Sequence, residues 1–142
     1  MLGYSLGDPG DAILVARPIY GRFELDFGNT AGLEIVYADM AGADPFEEEV
    51  VGAYEHALAE ASSRGVDVKA VLIVNPNNPL GTLRFFFKSH SASSASDANS
   101  DSCSGRCYPS ATLRQIMSFC QKHDLHLIRY QWLRSPNAHS AP

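Results

Sequence analysis

The sequence predicts an α/β fold built on a mostly parallel sheet. Three observations carry that prediction. The run Val68-Lys69-Ala70-Val71-Leu72-Ile73-Val74 is short, β-branched, almost wholly apolar and bounded by turn residues, the pattern of a strand covered on both faces. Two further apolar runs, 12–16 and 33–37, precede it. Segments with helical spacing separate these runs, which is the alternation of βαβ units.

Taken in order, residues 1–7 are apolar and run into Gly7-Asp8-Pro9-Gly10-Asp11. That turn punctuation leaves little room for a complete first element. Ala12-Ile13-Leu14-Val15-Ala16 reads as a buried strand that Arg17-Pro18 ends. Tyr20, Phe23 and Phe27 fall at i, i+3 and i+7 on one helical face, with Gly28-Asn29 as the close. Residues 33–37 form the second strand. The next helix has the best local signals: Asp44 as N-cap, Pro45 at N1 and Glu47 completing a capping box. Glu47, Glu48 and Glu49 suit the positive end of its dipole and are not read as an acid/base set. Phe46, Val50, Tyr54, Leu58 and Ala61 make its inward stripe, and Gly65 ends it.

After the third strand comes Asn75-Pro76-Asn77-Asn78-Pro79-Leu80-Gly81. Proline cannot continue a ladder, so the strand stops there and carboxamides stand at its carboxyl end. Open α/β sheets place ligands at that end. Residues 82–105 change character: a Phe85-Phe86-Phe87 cluster leads into serine-rich low complexity, read as a disordered insertion. Helical spacing resumes at Leu113, Ile116, Met117 and Cys120, with Pro109 near the first turn. Residues 125–128 read as a fourth strand and 129–142 as an irregular tail.

Composition narrows the class. With 142 residues the chain is one domain or a piece of a larger one. A net charge of −5 argues against nucleic acid, whose phosphates need clustered Lys and Arg. No run approaches the ~18 apolar residues of a membrane span. The N-terminus lacks a basic region ahead of an apolar block, so no signal peptide is expected. Three cysteines give no disulfide framework, which favours a reducing, cytoplasmic setting. Cys103-x-x-x-Cys107 reads as an incidental pair and His123-x-x-His126 straddles two elements, so no metal site is expected.

Three stretches carry a family resemblance. They are Leu6-x-x-Pro9-Gly10-Asp11-Ala12-x-Leu14-Val15-x-x-Pro18-x-Tyr20, the loop Val74-Asn75-Pro76-Asn77-Asn78-Pro79-Leu80-Gly81, and residues 113–128. Together they resemble class I/II aminotransferases, the fold-type I enzymes that use pyridoxal 5′-phosphate (PLP). The nearest flavour is the 1-aminocyclopropane-1-carboxylate synthase-like branch. The resemblance implies a partial three-layer sandwich, a piece of the PLP-dependent large domain spanning 1–81 and 106–128. It implies PLP as cofactor, an α-amino acid as substrate and a homodimeric parent. By the same resemblance Asn78 would hydrogen-bond the cofactor's phenolic oxygen and Tyr20 would lie against cofactor or substrate. A carboxamide can donate to a phenolate, and a rigid strand end would aim it. Read from the residues alone, Tyr20 is first a core-facing ring on its helix, and Asn78 can simply be a turn-capping side chain.

Departures from the pattern are as informative. In the family the strand matching 125–128 runs into Asp-Glu-x-Tyr, whose Asp pairs with the pyridinium nitrogen; here Arg129-Tyr130-Gln131-Trp132 follow. The Schiff-base lysine and the carboxylate-binding arginine are expected beyond Pro142, and Lys69 and Lys122 sit on the wrong elements to replace the lysine. The chain alone is therefore expected to be inactive, with no catalytic residue assigned; the other reading is a non-catalytic α/β binding module. Removing 82–105 joins Gly81 to Arg106 as N-P-L-G-R-C-Y-P, a loop of family length. The serine-rich stretch and the tail then read as additions, such as translated intron or shifted frame, or else as a tolerated surface insertion.

Overall fold

A computed structural model describes residues 2–77 and 106–131. Its elements are α1 (Leu2–Leu6), β1 (Ala12–Ala16), a π-helix (Glu24–Asn29), β2 (Glu34–Ala38), α2 (Val50–Ser63), β3 (Val68–Val74), α3 (Ser110–Lys122) and β4 (His126–Tyr130). The four strands form one parallel sheet in the order β2-β1-β3-β4. This is the α/β architecture that the sequence predicts.

Strand period explains the layers, because successive side chains point to opposite faces. Ala12, Leu14 and Ala16 of β1 and Val71 and Ile73 of β3 join a core with Val50, Tyr54, Ala57 and Ala61 of α2 and Ile116, Phe119 and Cys120 of α3. Ile13, Val15, Leu72 and Val74 face the other way, onto Phe23, Phe27, Ala31 and Leu33. Helical layers thus cover both faces, as in the expected three-layer sandwich. β1 is buried along its whole length, and β3 everywhere except Lys69. β4 lies at the sheet's edge in this chain, with only Ile128 half-buried.

Four elements depart from the sequence reading. Asp44 makes the expected capping bonds, its Oδ1 accepting the Phe46 N–H at 3.0 Å and its carbonyl the Glu47 N–H at 3.1 Å, but they head a run of turns and not α2 itself. The capped segment 45–49 runs as turns, and α2 starts at Val50 with Glu49 in the N-cap place and no side-chain cap. Its buried stripe is Val50, Tyr54, Ala57 and Ala61; Ala57 takes the place expected for Leu58, which is half-buried. Gly65, with φ +76°, closes this helix as expected. In α3 the buried face is Thr112, Ile116, Phe119 and Cys120, while Met117 is 58% exposed. Thr112 Oγ1 donates to the Phe46 carbonyl at 2.8 Å, which lets a polar residue face the core.

The helix expected to close at Gly28-Asn29 runs through both residues and ends at Gly32, which has φ +71°. Phe23 and Phe27 are buried on it, whereas Tyr20 precedes it and is 38% exposed. A Cβ at Gly32 would also lie 3.1 Å from Pro9 Cβ. Gly32→Ala is therefore expected to lower stability by about 1–2 kcal/mol, from the left-handed backbone and the crowding together. An unchanged urea midpoint would refute this. Finally, β4 continues to Tyr130, two residues past the expected strand end, with Tyr130 in register with Val74. Among the described residues, no helix is long and apolar enough to cross a membrane.

Candidate functional site

All four strands are parallel, so their carboxyl ends line one edge of the sheet: Ala16, Ala38, Val74 and Tyr130. The chain leaves β1 through Arg17-Pro18 and β3 through Asn75-Pro76-Asn77. Asn75 is fixed on three sides. Its N–H donates to the Tyr130 carbonyl at 3.0 Å, its Oδ1 accepts the Tyr108 N–H at 3.2 Å, and its carbonyl accepts the Arg129 guanidinium at 3.4 Å. The Asn77 N–H donates to the Arg106 carbonyl at 2.9 Å. Both asparagines are 7% exposed. The strand-end loop is thus held between β4 and the lead-in to α3, which is the rigid support the sequence reading asks of it.

Aromatic rings meet at the same edge of the sheet. Phe23 is buried, with Tyr20 edge-on at 6.2 Å between centroids and Tyr130 edge-on at 5.3 Å. Two exposed phenols therefore contact one buried ring edge-on. Further along the edge, the Arg17 guanidinium lies 3.9 Å above the Tyr37 ring, and the Tyr37 hydroxyl hydrogen-bonds the Glu24 carboxylate. Burial, and then the Glu24 charge, push the Tyr37 phenol above its ordinary range.

Of the two cofactor residues expected from sequence, Tyr20 lies at this edge, outside the core; Asn78 lies outside the described residues. The lysines are placed elsewhere. Lys69 is the second residue of β3, at the opposite edge, where it pairs with Asp67 at 2.5 Å and Asp11 at 3.8 Å. Lys122 ends α3 ahead of β4 and pairs with Glu55 at 2.8 Å. Lys88 lies outside the described residues. Tyr130 escaped the sequence reading because it was placed in the tail; the β-prone run His-Leu-Ile-Arg-Tyr was the signal that could have found it.

Residues 3–84 match the family described as aminotransferase class I and II. The chain belongs to this family. One relative, 1-aminocyclopropane-1-carboxylate synthase 3 of Oryza sativa subsp. japonica, is 34% identical over 128 residues, which is 90% of this chain and 23% of that protein. Among solved structures, a Thermus thermophilus aspartate aminotransferase mutant superposes with a TM-score of 0.58 at 19% identity, covering 92% of this chain and 27% of the other. A PLP-bound C–S lyase from Staphylococcus hominis gives 0.57 at 18%, covering 90% and 25%. The chain thus spans about a quarter of the length of these aminotransferase relatives. Both superpositions bear on the fold alone, and the fold agrees.

PLP is the cofactor that membership of the aminotransferase family implies. The groups at the carboxyl edge are buried carboxamides, guanidiniums and phenol rings. Such a set fits one flank of a planar, anionic ring system. It does not fit the cofactor's covalent anchorage, since neither described lysine is at this edge. The end of β4 carries Arg129 and Tyr130, so the carboxylate expected to face a pyridinium nitrogen is not there.

Proposed function

We propose that the chain is a large-domain piece of an aminocyclopropane-carboxylate-synthase-like or aminotransferase enzyme that acts on α-amino acids, and that this chain alone is inactive. One observation carries the reading. The Asn75-Pro76-Asn77 loop is fixed at the carboxyl edge of the sheet, while Lys69 and Lys122 lie away from it. A primary amine must reach the cofactor's aldehyde carbon for the family's covalent chemistry. In this reading Tyr20 and Asn78 line one wall of the cofactor pocket in the parent enzyme, and the setting is cytoplasmic.

Mixing the purified chain with PLP tests the proposal. Absorbance spectra and borohydride trapping followed by peptide mass mapping are expected to show no single modified lysine that is protected by an added amino acid. A unique lysine adduct, with a band that shifts when an amino acid is added, would overturn the inactivity. The second reading is a non-catalytic α/β binding module, and the two packed faces of the sheet favour it. Retention of pyridoxine phosphate, which lacks the aldehyde, would support that module over an inert piece.

A further inference from the structure

Asn77 and Arg106, the described residues on the two sides of 78–105, meet directly. The Asn77 N–H bonds the Arg106 carbonyl at 2.9 Å, and the buried Asn75 Oδ1 takes the Tyr108 N–H at 3.2 Å. On the returning side the anchorage continues through side chains. The Arg106 guanidinium pairs with Asp44 and lies 4.4 Å above the Phe46 ring, and the Tyr108 ring packs on Phe46 with centroids 4.6 Å apart. Beyond them β4 is in register with β3 from Ala70↔His126 to Val74↔Tyr130. The family match independently ends at residue 84, close to where the serine-rich composition begins.

We propose that residues 82–105 are an insertion into a loop whose base is closed without them, and that the sheet assembles in their absence. Two residues joined by a hydrogen bond can be bridged by a loop of roughly four residues, an ordinary connection length. Residues 78–81 supply that bridge once Gly81 is joined to Arg106. The inserted length acts on stability through closure entropy, which grows with the logarithm of loop length.

Three proteins test this: the full chain, a variant deleting 82–105, and a variant carrying a Gly/Ser stretch of equal length there. Urea unfolding and amide exchange at Tyr108 are the readouts, and neither depends on PLP, so failure here is distinct from failure of the functional reading. The deletion variant is expected to unfold cooperatively, with a folding equilibrium constant raised by about tenfold. The Gly/Ser variant is expected to match the full chain within about threefold, with Tyr108 protected in all three. A deletion variant that loses cooperative unfolding, or a Gly/Ser variant whose equilibrium constant falls more than about tenfold, would show that the native stretch packs on the core and would overturn the proposal.

Discussion

Replacing Phe46 by alanine is expected to lower folding stability by about 3–5 kcal/mol, a large part of the ~5–15 kcal/mol that holds a domain together. The ring is fully buried and joins three segments. Tyr108 packs on it at 4.6 Å, the Arg106 guanidinium covers it at 4.4 Å, and its own carbonyl accepts the Thr112 hydroxyl. Truncation leaves a cavity at the junction of the pre-α2 turns, the lead-in to α3 and the first turn of α3. Phe46→Leu is expected to recover part of the loss, because it refills volume without restoring the cation–π contact. Urea denaturation of both variants checks this; a Phe46→Ala loss under about 1 kcal/mol would place the ring outside the core.

Tyr54 gives the second large effect, and a contrast within one side chain. Its ring is fully buried between α2 and the sheet and stacks on Phe119 at 5.7 Å and 29°. Among the described residues, its hydroxyl makes no hydrogen bond of normal geometry. Burial, and then the neighbouring Tyr108 and Cys120, push the phenol far above its ordinary range, with the Ala16 backbone working the other way. Tyr54→Ala is expected to cost about 3–5 kcal/mol through cavity formation. Tyr54→Phe removes a desolvated hydroxyl that has gained little in return, so its effect is expected within about 1 kcal/mol of zero, or stabilising. A Tyr54→Phe loss of ~2 kcal/mol or more, measured by the same unfolding curves, would show that the hydroxyl has a strong partner.

The central strands were legible because burial on both faces leaves an unmistakable run: β1 and β3 begin and end where the sequence puts them. Helix interiors were legible through their apolar period, but helix faces were less so. Thr112 looks polar in sequence and is core-facing because its hydroxyl has a carbonyl partner 66 residues away. Met117 looks apolar and is exposed, since a 58% exposed thioether costs little. Tertiary partners decide such positions, and local pattern cannot supply them. The end of β3 was readable as a ligand edge from its Asn-Pro steps. The clasp formed by Asn75 and Tyr108 was not, because it joins residues 33 apart across the serine-rich stretch.

The strand order has a consequence in time. β1 pairs with β3 through Ala12↔Val68, and β3 pairs with β4 through Ala70↔His126, each link spanning 56 residues. Among the described residues, no two successive strands can zip up as a hairpin, since every pair is parallel. A chain emerging from the ribosome therefore holds β1 with one side unsatisfied until β3 has been made, and β3 likewise until the far side of residues 82–105 has been translated. Topologies dominated by such distant pairings fold slowly and expose sticky edges while they wait. The interval in which a chaperone could capture the nascent β1–β3 ribbon therefore grows with the number of residues between β3 and β4 that must still be made.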